Sequence, residues 1–361
     1  MARRIALMSA LLVVACGDED ETMDSVVEQD MSTETAEAFS AAEGTPGTWT
    51  WIPVGGAKCR DGSDTGFLLR LGEDASEWLI YLEGGGACFN SVTCLANPNS
   101  FGAEDVAATV PGLEFGVFDR RDTVSPVAGW NAVYVPYCTG DVFAGNREGV
   151  SVAGVSGTQD FVGFQNIGRF TDLLVDRYSD ASRVLLTGSS AGGFGALLNF
   201  DQVATKFSAA AVDLVDDSGH PMRFGPALAP CLAQLWQDLW DIRFPVDCSN
   251  CDADQDGFFG YSDYLSTTYP ESSFALASYM EDEVIRFFFG FGEDDCTAAF
   301  TSISASVFSD GVDDIRTGLA SWGTYYVEGD EHTFLRTAEF EGAFSSWLGD
   351  FLDGTVTDVG P

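Results

Sequence analysis

A serine enclosed by glycines, between an apolar run and a helix-like run, constrains the fold of this chain more than any other feature. The segment reads Gly188-Ser189-Ser190-Ala191-Gly192-Gly193, and the apolar run Val184-Leu185-Leu186-Thr187 precedes it. Glycines on both sides of a serine allow a sharp turn from a strand into a helix, which exposes the serine hydroxyl. The helix N-terminus behind such a turn also stabilises negative charge. We therefore predict that Ser190 is a nucleophile at a strand–turn–helix junction.

Apolar runs alternate with helix-like stretches around this junction. Helical patterns cover residues 164–178 and 192–200, and short apolar runs lie at 78–82, 132–135, 184–187, 209–215, 274–278 and 323–327. Short, continuously apolar strands between helices are typical of a parallel sheet that is covered on both faces. The predicted fold class is α/β, of the α/β-hydrolase type, with a mostly parallel central sheet and helices on both faces.

A serine nucleophile needs a base, and the chain has only 2 histidines. In α/β-hydrolases the nucleophile, the acid and the histidine follow one another in this order along the chain. His332 comes after the last predicted strand, where this fold places its base, whereas His220 follows Ser190 by only one predicted strand. His332 is therefore the predicted base. His220 is interpreted as a packing or solvent-facing residue.

The acid is less constrained, because 56 residues are Asp or Glu. Asp282 follows the predicted strand at 274–278 and lies between Ser190 and His332 in the chain. This position suits an acid that orients the histidine and stabilises its charged form. Asp217 also lies on a loop after a predicted strand and is the rival candidate.

A glycine-rich turn after the first predicted strand is a candidate oxyanion hole. It reads Leu82-Glu83-Gly84-Gly85-Gly86-Ala87-Cys88. Glycines present backbone N–H groups without obstruction from a Cβ atom. The hydrolase fold pairs such an N–H with that of the residue after the nucleophile, which is Ala191 in this chain.

Several separate motifs together resemble one family, the pectin acetylesterases and the related Notum carboxylesterases. The matching segments follow one another in the family's order, and they are residues 81–88, 135–141, 188–193, 216–219 and 282–285. The resemblance covers residues 49–345. At the position of Ala87 this chain departs from the plant enzymes, which carry Trp beside the acyl pocket.

The resemblance implies a catalytic triad and an oxyanion hole. The triad is Ser190, Asp282 and His332, and the oxyanion donors are Gly85, Gly86 and Ala191. Ser190 attacks the ester carbonyl while His332 takes its proton, and water then hydrolyses the acyl-enzyme.

The resemblance also implies a substrate class. We expect a serine carboxylesterase that hydrolyses an acyl ester, with an acetyl ester on a polysaccharide as the first expectation. The alternatives on the same fold are a long-chain acyl esterase, a polyester depolymerase and a catalytically inactive binding protein.

The start of the chain has the pattern of an export signal of the lipoprotein type. Two arginines precede an apolar run over residues 5–15, which is too short to span a bilayer, and Cys16 follows it. We predict a signal peptide over residues 1–15, an acidic disordered tether over 16–45 and a catalytic domain over 46–361. The protein is expected to be exported, and either lipid-anchored to the bacterial envelope through Cys16 or secreted. An ordinary signal peptide with an incidental cysteine is the alternative.

Eight cysteines follow Cys16, and this even number allows up to four disulfides in an exported chain. Two pairs, Cys88 with Cys94 and Cys248 with Cys251, are close enough in sequence to form local bridges.

The formal net charge of −39 limits the partners of the chain. Such a surface repels nucleic acid and anionic lipid, since both carry phosphate charge. The expected partner is the acyl-ester substrate alone, with no nucleic acid and with membrane contact only through the lipid anchor. The protein is expected to be a monomer.

The catalytic reaction requires no cofactor, but one acidic loop suggests structural calcium. Asp252, Asp254, Asp256 and Asp263 have the spacing of alternate ligands and of the twelfth position in a calcium-binding EF-hand loop. An acidic surface turn is the alternative interpretation.

Overall fold

The computed structural model describes residues 31–251, 256–296 and 301–361. The predicted signal peptide and the first part of the predicted tether lie outside these residues. The strands are β1 (Thr50–Lys58), β2 (Asp64–Arg70), β3 (Asp74–Leu82), β4 (Trp130–Val135), β5 (Arg147–Val150), β6 (Gln159–Phe161), β7 (Arg183–Ser189), β8 (Ala211–Asp217), β9 (Phe274–Tyr279), β10 (Gly323–Val327) and β11 (Asp358–Val359).

The α-helices lie between and around these strands. They are α1 (Thr33–Gly44), α2 (Ser91–Ala96), α3 (Val106–Thr109), α4 (Gly163–Arg177), α5 (Ala191–Lys206), α6 (Pro230–Trp240), α7 (Gly257–Thr268), α8 (Glu283–Phe289), α9 (Ala305–Gly318) and α10 (Ala343–Leu352). Short 3₁₀ helices cover Val110–Leu113, Gly116–Phe118, Gly290–Cys296 and Ala338–Phe340. Within the described ranges, no helix combines the length and the apolar character needed to cross a membrane.

Nine strands form one sheet in the order β1-β2-β4-β3-β7-β8-β9-β10-β11. From β4 to β11 each neighbouring pair is parallel. At the other edge of the sheet β1 pairs antiparallel with β2, and β2 pairs antiparallel with β4. The sheet confirms the predicted α/β-hydrolase-like class, and every predicted strand and helix is present. The antiparallel edge hairpin was not predicted.

Helices cover both faces of this sheet, as predicted. In β3 the side chains of Trp78 and Ile80 belong to one hydrophobic core and those of Leu79 and Tyr81 to the other. This alternation follows from the two-residue period of a strand. Helices α4 and α5 pack on the first face, and α10 packs on the second.

The boundary of the folded domain corrects one prediction. Residues 33–44, which we assigned to a disordered tether, form helix α1, and the Phe39 side chain is fully buried. Thr35, Phe39 and Ala42 share the buried face, because residues four and three positions apart lie on one side of a helix. The high acid content of the segment hid this short apolar stripe.

Four disulfides join all eight cysteines that follow Cys16. They are Cys59–Cys138, Cys88–Cys94, Cys231–Cys296 and Cys248–Cys251. The two local pairs that we expected are both present. Disulfides of this number are typical of proteins in an oxidising compartment outside the cytoplasm.

Candidate active site

Five strands end at the same edge of the sheet, and the predicted site residues follow their carboxyl ends. The glycine-rich turn follows β3, Ser190 follows β7 and Asp217 ends β8. Asp282 follows β9, and His332 follows β10. In parallel α/β sheets the loops at this edge form the ligand-binding crevice, so the topology brings distant parts of the chain together.

Ser190 occupies the turn between β7 and α5 with a left-handed backbone. Its φ is 58° and its ψ is −120°, a conformation that costs energy for a residue with a Cβ. Two backbone contacts hold it: its N–H donates to the Asp217 carbonyl at 2.7 Å, and its carbonyl accepts the N–H of Gly193 at 2.9 Å. The serine therefore sits at the N-terminus of α5 in the strained elbow that its glycine neighbours predicted.

His332 and Asp282 form a direct pair. His332 Nδ1 lies 2.7 Å from Asp282 Oδ2, and the Asp282 side chain is fully buried. Asp282 Oδ1 accepts the N–H groups of Val284 and Ile285, both at 3.0 Å, at the start of α8. Because Nδ1–H donates a hydrogen bond to the carboxylate, Nε2 of the neutral ring keeps its lone pair. Nε2 is buried and has no hydrogen-bond partner within the described residues, so it is available to accept a proton.

The second histidine lies behind this pair. His220 is fully buried, and its Nε2 lies 2.5 Å from Ser278 Oγ. The expectation of a packing residue is therefore met, whereas a solvent-facing position is wrong. Burial lowers the pKa of His220 to about 4, because an imidazolium in this apolar position would lose its hydration.

Asp217 has other partners than the histidine. Its carboxylate accepts the Ser189 hydroxyl at 2.7 Å and the backbone N–H groups of Phe334 and Leu335 at 3.0 Å. It is fully buried, and this burial raises its pKa to about 6. The rival acid thus lies beside the nucleophile turn, while Asp282 is the carboxylate that contacts His332.

The glycine-rich turn lies against the nucleophile. A Cβ added to Gly84 would lie 3.1 Å from the Ser190 Cβ, so the two backbones are in close approach. Gly86 has a φ of 78°, which favours glycine. Gly86 and Ala191 line the same cavity as Ser190, whereas Gly85 packs against the Tyr137 ring.

The Ala191 N–H belongs to the first turn of α5, where backbone N–H groups have no acceptor within the helix. Gly85 is held by its carbonyl, which accepts a hydrogen bond from Asn97 Nδ2 at 2.7 Å.

A cavity opens beside Ser190, and its walls are almost wholly apolar. It has about 420 Å³ of empty space, counting the space open to solvent at its mouth. Its lining residues are Gly86, Ala87, Val142, Ser190, Ala191, Phe194, Trp236, Trp240, Phe258, Ile285, Phe288 and Phe289. Apart from the indole N–H groups of Trp236 and Trp240, Ser190 carries the only polar side-chain group among them. Such a cavity can hold a hydrocarbon or acetyl group next to the serine hydroxyl.

The aromatic walls were not found by sequence reasoning. Phe194 comes from α5, and the other rings come from α6, α7 and α8, which lie in two long connections between strands. Trp236 and Trp240 are four residues apart on α6, and their rings stack at 5.9 Å. The four-residue spacing of these tryptophans could have indicated the aromatic wall, although it is equally typical of the buried face of any amphipathic helix.

Comparison with known proteins identifies the family. A model of pectinacetylesterases matches residues 48–242, which is just over half of the chain. The chain belongs to the pectinacetylesterase family. The expectation drawn from the motifs is therefore confirmed.

Two relatives show how far the family similarity reaches. The palmitoleoyl-protein carboxylesterase notum2 of Xenopus laevis is 37% identical over 155 residues, which cover 40% of this chain and 30% of that protein. Pectin acetylesterase 5 of Arabidopsis thaliana is 30% identical over 196 residues, which cover 52% of this chain and 45% of that protein. The chain thus matches less than half the length of either relative.

A solved structure supports the pectinacetylesterase fold. The Wnt deacylase Notum from Drosophila superposes with a TM-score of 0.60 at 19% identity, covering 85% of this chain and 94% of the Notum chain. At this identity the likeness concerns the fold alone.

The acidic loop offers only part of the predicted calcium site. Asp252 and Asp254 lie outside the described residues. Helix α7 begins at Gly257, so Asp263 lies about 10 Å along the helix axis from Asp256. Asp256 also pairs with Arg223 at 3.2 Å. Structural calcium at Asp252, Asp254, Asp256 and Asp263 stays a prediction.

Proposed function

We propose that this protein is a serine carboxylesterase that hydrolyses an acyl ester, with an acetyl ester on a polysaccharide as the first candidate substrate. The observation that carries the proposal is the 2.7 Å contact of His332 Nδ1 with Asp282. Among the described residues His332 Nε2 has no hydrogen-bond partner, and it lies at the edge of the sheet where the Ser190 turn also lies. The membership in the pectinacetylesterase family supports the same reaction class.

The first half of the reaction forms an acyl-enzyme. Ser190 Oγ attacks the ester carbonyl carbon, and its proton passes to His332 Nε2. Asp282 accepts the hydrogen bond of His332 Nδ1–H and stabilises the imidazolium. The backbone N–H groups of Gly86 and Ala191, with Gly85 as the third candidate, stabilise the oxyanion.

The first half ends when the imidazolium gives its proton to the leaving alcohol, which departs as the carbonyl re-forms on Ser190. In the second half water attacks the acyl-enzyme, and His332 takes a proton from that water. The imidazolium returns this proton to Ser190 Oγ as the bond between Oγ and the acyl carbon breaks, which releases the acid. Every step is assigned to groups of this chain, so the proposal calls for no cofactor.

The cavity beside Ser190 receives the acyl group in this proposal. Its wall of aromatic rings would bury a hydrocarbon chain with a favourable change in free energy. This observation favours one second candidate, a long-chain acyl esterase, and it agrees with the palmitoleoyl-protein carboxylesterases among the relatives. Ala87, in place of the Trp of the plant enzymes, leaves room for a larger acyl group.

The proposal is tested with p-nitrophenyl esters of increasing chain length. We expect wild-type protein to hydrolyse short esters, and Ser190→Ala to lose at least about 1,000-fold in kcat, because no nucleophile is left. Ser32→Ala is the matched control, since Ser32 also caps a helix but lies in α1. A fluorophosphonate should label Ser190 in wild-type protein.

The same series separates the candidate functions. A maximum at acetate supports the first candidate, and a maximum at longer chains supports the second. Absence of turnover together with absence of phosphonate labelling contradicts the esterase and supports an inactive binding protein. A polyester depolymerase would release soluble acid from an insoluble polyester film.

The location of the protein belongs to the same proposal. The four disulfides support a protein that is exported. A lipid anchor on Cys16 and a monomeric state stay predictions; mass spectrometry of the mature N-terminus and light scattering test them.

A further inference from the structure

The buried carboxylate of Asp217 contacts both halves of the candidate active site. It lies at the end of β8, fully buried, between the turn that carries Ser190 and the loop that carries His332. We infer that Asp217 is a positioning residue that fixes the nucleophile turn and the base loop relative to each other. This inference rests on the proposed esterase function and deepens it.

On the nucleophile side Asp217 holds two consecutive residues. Its Oδ2 accepts the hydroxyl of Ser189 at 2.7 Å, and its backbone carbonyl accepts the N–H of Ser190 at 2.7 Å. The Ser189 hydroxyl also accepts a hydrogen bond from the Tyr81 hydroxyl at 3.1 Å. These contacts hold a backbone conformation that is strained at Ser190, and such strain persists only where the surroundings determine it.

On the base side the same carboxylate holds the loop that begins at His332. The N–H of Phe334 donates to both carboxylate oxygens at 3.0 Å, and the N–H of Leu335 donates to Oδ2 at 3.0 Å. Thr333, between His332 and Phe334, has a φ of 66°, so the chain turns sharply there. The two N–H groups therefore set the direction in which the chain leaves His332.

The contacts distinguish this role from that of a catalytic acid. Among the described residues, the Asp217 carboxylate accepts hydrogen bonds from Ser189, Phe334 and Leu335, while His332 Nδ1 contacts Asp282. Asp217 acts on the reaction through the placement of Ser190 and His332. Loss of its contacts lets the two loops shift relative to each other, and a misplacement of about 1 Å costs about 100-fold in rate.

Three variants and one control test the inference. Asp217→Ala removes all acceptors, Asp217→Asn keeps one acceptor oxygen without the charge, and Ser189→Ala removes only the hydroxyl donor. Asp213→Ala is the control, because Asp213 is 5% exposed, lies near the opposite end of β8 and accepts the N–H of Ser273. Steady-state kinetics with a short p-nitrophenyl ester and thermal melts are measured for each.

The expected result is a loss of kcat in Asp217→Ala of about 100-fold with KM nearly unchanged, since the acyl cavity is not altered. Asp217→Asn should recover most of this loss, and Ser189→Ala should lose less than Asp217→Ala. In Asp213→Ala the melting temperature should fall while kcat stays at the wild-type value. Ser189→Ala and Asp217→Asn, combined, should lose less than the product of their single effects, because they break the same contact.

Three outcomes overturn the inference. One is a kcat loss in Asp217→Ala no larger than in Asp213→Ala. Another is a kcat loss in the combined variant Ser189→Ala and Asp217→Asn that equals the product of the two single losses. If Asp217→Ala does not fold, Asp217→Asn and Ser189→Ala test the inference instead. A wild-type kcat in both of these variants contradicts the positioning role. An inactive wild-type protein contradicts the proposed esterase function instead, so the two failures are distinct.

Discussion

At the scale of single residues, the candidate site depends on carboxylates that each serve two neighbours. Asp282 caps helix α8 with one oxygen and contacts His332 with the other. Asp217 contacts two loops. Such residues are hard to assign from sequence, because a strand followed by an aspartate predicts a position at the sheet edge but not the direction of the side chain.

The buried His220 makes a prediction about stability at acid pH. Its pKa is about 4 in the folded protein, below the ordinary 6.5, so the unfolded chain takes up a proton at higher pH than the folded one. Its contribution to stability is complete above pH 6.5 and is lost as pH falls towards 4, by about 3 kcal/mol in total. In His220→Gln this loss is absent, because an amide does not titrate.

Urea unfolding of both proteins at pH 7.5 and 4.5 measures this difference. We expect the free energy of unfolding of wild type minus that of His220→Gln to be smaller at pH 4.5 by about 2–3 kcal/mol. The other titrating groups are common to both proteins and cancel. An equal difference at the two pH values contradicts the neutral state of His220.

At the scale of secondary-structure elements, the sequence predicted the strands and helices whose buried residues form a regular apolar pattern along the chain. Strands β3, β4 and β7 are apolar on both faces and read as continuous apolar runs. Strand β1 contains Pro53, Gly55 and Gly56, which disfavour a strand, and an edge position tolerates them. Helices α6 and α7 were not predicted, although Leu232, Ala233, Trp236 and Trp240 form an apolar stripe along α6.

Helix α1 gives a prediction at this scale. Phe39 is fully buried and packs against Phe67 of β2, with ring centroids 6.2 Å apart. We expect Phe39→Ala to lower the free energy of unfolding by about 3–5 kcal/mol, because it leaves a cavity under the helix. Glu37→Ala, on the exposed side of α1, should change it by less than about 0.5 kcal/mol. Equal effects in urea unfolding would mean that α1 does not pack on the sheet.

At the scale of the whole molecule, the net charge and the fold depend on different features of the sequence. The net charge of −39 limits partners and solubility, whereas the sheet follows from apolar patterning. The candidate nucleophile, acid and base could be proposed from the sequence because the hydrolase topology fixes the order of the strand ends along the chain. The aromatic cavity could not, because its walls meet only in three dimensions.

This charge predicts a response to salt. Screening lowers the repulsion between carboxylates, since the Debye length falls from about 30 Å at 0.01 M salt to about 10 Å at 0.1 M. We expect the melting temperature at pH 8 to rise between 10 and about 500 mM NaCl, by several degrees. At pH 5, closer to the carboxyl pKa of about 4, the rise should be smaller. An equal rise at both pH values contradicts repulsion as its cause.

The candidate site is divided between strand ends and long connections, and this division affects which of its properties can change during evolution. The proposed reacting groups follow β7, β9 and β10, while α6, α7 and α8 supply most of the aromatic wall of the cavity. Substitutions in those helices can reshape the space for the acyl group without disturbing the sheet that aligns the reacting atoms. Acyl preference is therefore the trait that descendants of this chain can exchange most readily, while the chemistry is inherited unchanged.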